Sequence, residues 1–202
     1  ETRTLIILYV DDLIVSGPQT HEYAISMKIK SVIELGERTT LGRYLECHHQ
    51  VPTVMDGVFK GATKTVFQMR NYMSKAVDEY KKITGITTFK KVGSPYLDQR
   101  SFNDPDWELR GDLGDKASSI LMCLFYGARL ARWELLYPVA MLTRFITKWT
   151  AAHDKMLNRL IAYVSQTLDD CLTGYIGDST DDLYLGVWVD ADHGGEVCEI
   201  RA

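Results

Sequence analysis

The stretch Leu5–Gly17, LIILYVDDLIVSG, decides how the chain is read. Two apolar runs flank the adjacent carboxylates Asp11 and Asp12. The run before them is β-branched and aromatic and too short for an ordinary helix, so it reads as a strand. LIVSG reads as a second strand, and the two-residue gap predicts an antiparallel hairpin. Such a tip ordinarily takes Asn-Gly or Asp-Gly, because type I′ geometry needs positive φ at both central residues. Asp-Asp is a poor turn, and two carboxylates about 4 Å apart repel by a few kcal/mol at an effective dielectric near 20. A divalent cation offsets that repulsion. Mg2+ takes hard oxygen ligands and is commonly held by one or two carboxylates plus substrate phosphates. Buried strands on either side would hold the acids rigidly, as a metal site requires. A plain exposed acidic turn is the alternative for a bare Asp-Asp.

Hydrophobic residues make up 46% of the 202 and charged residues 25%, an ordinary globular balance with enough apolar side chain for a core. No apolar run approaches the roughly 20 residues of a membrane span, and no membrane partner is expected; the dispersed cysteines fit a reduced intracellular protein. The opening ETRTLIILYV has neither Met nor a signal-peptide layout, and the chain reads as a fragment of a longer polypeptide. The cysteines Cys47, Cys123, Cys171 and Cys198 are dispersed without a C-x-x-C pair, which fits reduced thiols. Cys47, His48 and His49 are adjacent, so on a strand they point to opposite faces and do not converge on zinc.

The net charge of −4 argues against a generic polyanion binder, but its distribution is uneven. Residues 60–100 carry nine Lys/Arg against three Asp/Glu, and residues 121–168 carry six against two. Residues 169–202 carry one against nine. Solvated helix faces are as good an account of the basic middle as a nucleic-acid surface is.

Along the chain, residues 20–36 predict a helix capped by Thr20 and stopped at Gly36. GRYLECHHQV and GVFKGATKTVFQM predict two strands around an Asp56-Gly57 turn. QMRNYMSKAVDEYKKITG predicts a basic amphipathic helix closing at Gly85. Residues 86–116 carry Pro95, Pro105 and several Asp and read as a linker or extended loop. Two helices follow, the second starting near Pro138, and then a third whose apolar face is Met156, Leu157, Leu160, Ile161 and Val164. Short strands close the chain.

Tyr9-Val-Asp-Asp between two hydrophobic strands is the reverse-transcriptase signature Tyr-x-Asp-Asp, and the chain resembles the polymerase of copia-type long-terminal-repeat retrotransposons, where LLYVDDLLI is usual. Later motifs arrive in the family's order. LGRYLECHHQV resembles the FLGIEI strand of the primer-grip region. VFQMRNYMSKAVDEY resembles LSQ-x-x-YI-x-x-IL-x-x-F, with Gln68 and Tyr72 in matching places, and GSPY resembles TPL. LFYGARLARWELLYPVAMLTRF resembles LLYLA-x-x-TRPDI-x-YAV-x-x-LSRF, and His153 stands where the family keeps a His. LIAYVSQTLDDCLTGY resembles RILRYLKGT-x-x-x-GLXY. VWVDADHGG resembles GYSDADWAG, the first strand of the attached ribonuclease H domain.

The resemblance implies an α+β fold: a partial antiparallel palm sheet bearing the YVDD hairpin (1–60), a thumb-like basic region and linker (61–115), a helical connection (116–180) and a truncated ribonuclease H-like start (181–202). It implies an RNA-directed DNA polymerase fragment with two-metal nucleotidyl transfer, using Mg2+ or Mn2+. Asp11 and Asp12 would be two of three catalytic carboxylates and metal ligands, with Tyr9 beside the primer end and incoming nucleotide. Asp190 would be the first ribonuclease H metal ligand. Arg70, Lys75, Lys81 and Lys82 would meet phosphates. The implied partners are an RNA template, a DNA primer, deoxynucleotides and the rest of the retrotransposon polyprotein, in the cytoplasm, virus-like particles or nucleus.

The third carboxylate lies upstream in the family, so the fragment alone is expected not to polymerise. Glu46 replaces the Gly of FLGIEI, ARWEL keeps the Arg of TRPDI at Arg132 but not its Pro and Asp, and His193 replaces the Trp of DADWAG. The alternative is a catalytically dead nucleic-acid-binding remnant or a domesticated interaction domain.

Overall fold

The computed structural model describes residues 4–179, together with 181, 182, 184 and 186–189. Strands β1 (Leu5–Tyr9) and β2 (Asp12–Ser16) pair antiparallel, from Leu5 opposite Ser16 to Tyr9 opposite Asp12. The register sets Ile6, Ile7 and Leu8 against Val15, Ile14 and Leu13, aliphatic against aliphatic. The two-residue turn is therefore Val10–Asp11, one residue earlier than the expected Asp11–Asp12.

Burial departs further from expectation. The hairpin is a two-stranded sheet of its own, and every residue of β1 is exposed, Leu8 at 68%. An all-apolar strand ordinarily has both faces covered. Among the described residues no third strand pairs with this one, so the expectation of buried flanking strands is corrected. Helix α1 (Gln19–Lys30) follows. It starts behind Pro18, whose φ of −59° suits a helix entry, rather than at Thr20, and it ends at Ser31, short of Gly36.

A second antiparallel sheet runs in the order β3 (Arg43–Tyr44), β4 (Cys47–Gln50), β5 (Thr63–Gln68), β6 (Leu172–Ile176). The single strand expected across GRYLECHHQV is broken at Leu45–Glu46, which turn the chain back on itself. Asp56-Gly57 does lie in a loop, with Gly57 at φ +77°, but regular pairing resumes only at Thr63. Because side chains alternate, one face of this sheet sends Cys47, Phe67 and Leu172 into the core.

That core is helical. Helix α2 (Arg70–Thr84) buries Met73, Ala76, Val77 and Tyr80 at the i, i+3, i+4, i+7 spacing. It ends at Gly85, where φ of +72° makes the left-handed C-terminal turn that glycine adopts without steric cost. Helix α4 (Gly114–Ala131) packs across α2. A β-carbon at Gly127 would overlap Met73 Sδ, so the close approach of these two helices needs glycine there.

Helix α5 (Leu136–Thr143) takes Pro138 in its first turn, as expected of a residue without an N–H. Helix α6 (Ala151–Gln166) buries Met156, Leu157, Leu160, Ile161 and Val164, the whole expected face. Residues 86–116 are not a free linker. They contain the short helix α3 (Asp104–Glu108), and Ile86, Phe89, Tyr96, Leu97, Phe102 and Trp107 pack on the core. Polar ties secure the segment: Val92 N–H donates to Gln166 Oε1 at 3.1 Å, and Arg159 Nε donates to the Ser94 carbonyl at 2.9 Å. No helix among the described residues is long and apolar enough to cross a membrane.

Candidate functional site

At the first tip, Val10 has φ of +52°. Positive φ at the first central residue alone is the pattern of type II′ turns, which ordinarily take Gly there. A β-branched residue in that region is strained, at a cost on the order of 1–3 kcal/mol. The strain lies beside the candidate carboxylates. Asp11 occupies the turn and Asp12 opens β2 directly across from Tyr9. Both carboxylates are exposed, and neither has an ion pair or hydrogen bond to another described residue. The donor chemistry suits a hard divalent cation. The number of ligands does not complete a site, since no group of three or more His, Cys, Asp or Glu able to hold a metal occurs among the described residues.

A second tip lies close by. Leu45 and Glu46 have φ of +50° and +63°, so both central residues of the β3–β4 turn are left-handed, the type I′ pattern. Tyr126, on α4, donates its phenolic hydrogen to the Leu45 carbonyl at 3.0 Å. Its ring lies 5.0 Å from that of Tyr72 on α2. Burial pushes the Tyr126 hydroxyl up, and the neighbouring acidic groups of Tyr9, Glu46, Cys47 and Asp12 add to the effect. The phenol of Tyr126 is therefore in electrostatic reach of both tips. Burial likewise pushes Tyr72 up to about 12, with Cys123, Tyr126 and Glu46 contributing. The thiols of Cys47 and Cys123 are also raised by burial, which makes them inert side chains rather than nucleophiles. Sequence reasoning missed Tyr126. Its signal was the aromatic in LFYGA, which reads as core from helical spacing alone.

The four basic residues expected to meet phosphates do not form one patch. Arg70 pairs with Asp169, and Lys75 pairs with Glu46 at 3.7 Å while lying over the Tyr72 ring. Lys81 lies over the Phe89 ring at 5.9 Å. Lys82 is exposed, but Asp78 and Glu79 share the outward face of α2 with it and with Lys75, which cancels much of the local positive charge. Asp190 lies outside the described residues, as does most of the segment expected to begin a ribonuclease H-like unit. The described residues 186–189 form no strand.

Two buried polar residues hold the helical part together. Arg132 donates from Nε to Glu134 at 2.6 Å, and from both terminal nitrogens to the carbonyl and hydroxyl of Thr167 at 2.7 Å each. Glu134 thus supplies a carboxylate where the motif TRPDI has its Asp, so the acidic partner of the Arg is kept and only the Pro is lost. His153 sits among Trp107, Phe145 and Trp149, and its Nδ1 accepts the Thr150 N–H at 3.0 Å in a capping box at the start of α6. The position where the family keeps a His is therefore a helix cap inside an aromatic cage.

No family model matches the chain, and no solved structure matches it. The chain is similar to a putative transposon Ty5-1 protein of Saccharomyces cerevisiae, 25% identical over 190 residues, which cover 94% of this chain and 56% of that protein. It thus spans little more than half the length of the relative it matches. The likeness supports a retrotransposon origin.

Proposed function

We propose that the chain is part of an RNA-directed DNA polymerase of a copia-type retrotransposon, running from the catalytic hairpin of the palm through a thumb and connection toward ribonuclease H. The observation that carries this reading is Tyr9-Val10-Asp11-Asp12 at the tip of an all-apolar hairpin whose strained turn leaves both carboxylates bare. The ordered later motifs and the likeness to a transposon protein support it.

In this reading Asp11 and Asp12 hold Mg2+ or Mn2+, and the metal supplies electrostatic stabilisation of the attacking and leaving oxygens of phosphoryl transfer. Tyr9, across the ladder from Asp12, lines the place of the primer terminus and incoming deoxynucleotide. Lys82 is exposed, with no ion pair or ring contact among the described residues, and can meet a backbone phosphate despite Asp78 and Glu79 on the same face; Arg70, Lys75 and Lys81 would have to exchange present partners first. Asp190 would begin the second metal site. The partners are an RNA template paired to a DNA primer, in an intracellular particle or nucleus, with the rest of the polyprotein.

The test is primer extension on an RNA template with Mg2+ or Mn2+, comparing this chain with one extended upstream through a third carboxylate. Activity confined to the longer chain, and abolished there by Asp11→Asn, is the expected result. Absence of extension in both sinks the proposal. The second reading, a catalytically dead nucleic-acid-binding remnant, is favoured by Glu46, a carboxylate in the primer-grip turn where the family has Gly. It predicts duplex binding without extension in either chain.

A further inference from the structure

The face of the four-stranded sheet turned away from the core is unusual in its charge. The register aligns Arg43, His48 and Gln68 in one row, Gln50, Val66 and Thr173 in the next, and Lys64 with Tyr175 in a third. In a chain of net charge −4, no carboxylate stands on this face. The acids that flank its strands sit in loops: Glu46 and Asp169 are paired with Lys75 and Arg70 on α2, and Asp170 and Asp178 lie exposed beyond the two ends of β6. The β4–β5 loop folds back so that Phe59 stacks on Tyr175, with ring centroids 4.5 Å apart and planes 15° from parallel, and both rings remain largely exposed.

We infer that this outer sheet face binds a single strand of nucleic acid. Arg43 and Lys64 contact the phosphates, and the Phe59–Tyr175 pair offers a stacking platform for an unpaired base. Charge complementarity selects a polyanion. The exposed aromatics select a single strand over a duplex, whose bases hide their faces in the stack. Gln50 and Gln68 add donors and acceptors that read no particular base. The choice of nucleic acid over other polyanions rests on the polymerase reading above. The location does not, since this face lies on the outer side of β5 and β6, away from the helical core.

The test is fluorescence anisotropy of labelled dT20 and U20 with this chain across a salt series. Binding should weaken steeply with salt, by about 0.7 log unit per log unit of salt for each phosphate neutralised. Arg43→Gln with Lys64→Gln should reduce the slope by about 1.4, and Tyr175→Ala should weaken binding about tenfold. Lys28→Gln, an exposed change on α1, should leave both unchanged. Circular dichroism checks that each variant keeps its helices. No binding by the parent chain at low salt, or parent-like binding by the sheet variants, overturns the inference. If the longer chain fails to extend primers while the sheet variants still lose single-strand binding, the polymerase reading falls and this site stands.

Discussion

The phenol of Tyr126 is fastened to the carbonyl of Leu45 at 3.0 Å, and this bond ties the middle of α4 to a turn whose two central residues are both left-handed. A turn with no glycine is held by a side chain from another element. The same ring stacks at a tilt on Tyr72, so α2, α4 and the β3–β4 turn meet at one point beside the carboxylate hairpin. Strain in the backbone and an anchoring hydrogen bond belong together here, because a left-handed Leu-Glu pair persists only where surrounding structure over-determines it.

Glu46→Gly should therefore stabilise the chain. Glu46 sits at φ of +63°, a conformation costing an L-residue roughly 1–2 kcal/mol and glycine nothing sterically. Against this stand the extra unfolded-state entropy of glycine and the loss of the exposed Lys75–Glu46 pair, which is worth little. The expected net gain is about 0.5–1 kcal/mol, read as a higher urea midpoint at unchanged m-value. A lower midpoint would mean that the ion pair, not the backbone, governs this turn. If the gain appears with Tyr126→Phe in the background as well, strain relief is independent of the anchor.

How far the fold could be read in advance depended on how local its causes were. Helices α2 and α6 were legible because their apolar spacing and, for α2, the terminal Gly85 act within a few residues. The hairpin was legible as a hairpin, yet not its register or its exposure, because both depend on what else covers LIILY. The β3–β4 turn was missed because Leu-Glu carries no turn chemistry; its cause is Tyr126, 81 positions away. Residues 86–116 read as linker because Pro and Asp mask a non-periodic set of aromatics that packs on the core. At the candidate site the carboxylates were legible from their apolar flanks, whereas pairing of Arg70 with Asp169 needed a contact spanning 99 positions.

Stability should fall with acid through His153. Burial lowers its folded pKa to about 4, against about 6.5 unfolded. Between those values the unfolded chain binds the extra proton, so stability rises with pH there. The contribution is present in full above about 6.5 and is lost as pH falls toward 4, to the extent of about 3 kcal/mol. The geometry gives the reason. With Nδ1 accepting from the Thr150 N–H, the neutral ring carries its proton on Nε2, which is buried without a partner among aromatic rings, and a second proton would have to go on Nδ1 and break the bond from Thr150. Denaturation midpoints between pH 4 and 7 measure this, and His153→Gln should flatten the profile. An unchanged profile in the variant would assign the acid sensitivity elsewhere.

Arg132→Lys should cost about 2 kcal/mol or more despite conserving charge. Arg132 is 2% exposed and uses its fork to bind Glu134 and both oxygens of Thr167, joining the end of α4 to the end of α6. A lysine ammonium is a point donor and cannot span those three acceptors in one plane, so at least one of these part-buried oxygens loses its partner. Thermal unfolding should show a lower midpoint with unchanged helix content. Equal stability would mean that Thr167 finds water instead.

Asp11→Asn with Asp12→Asn should abolish the chain's response to divalent ions at the hairpin. The two carboxylates are exposed and adjacent, with no third ligand gathered among the described residues. Such a pair holds a hard cation weakly, with a dissociation constant on the order of 1 mM. Paramagnetic Mn2+ titrated into the parent chain should broaden the amide signals of Val10 through Leu13 before those of any other segment. In the double variant that broadening should vanish, while signals of the helical core stay in place. Broadening that begins instead at His48 and His49 would place the cation on the second sheet and leave Asp11 and Asp12 as an acidic turn without a metal.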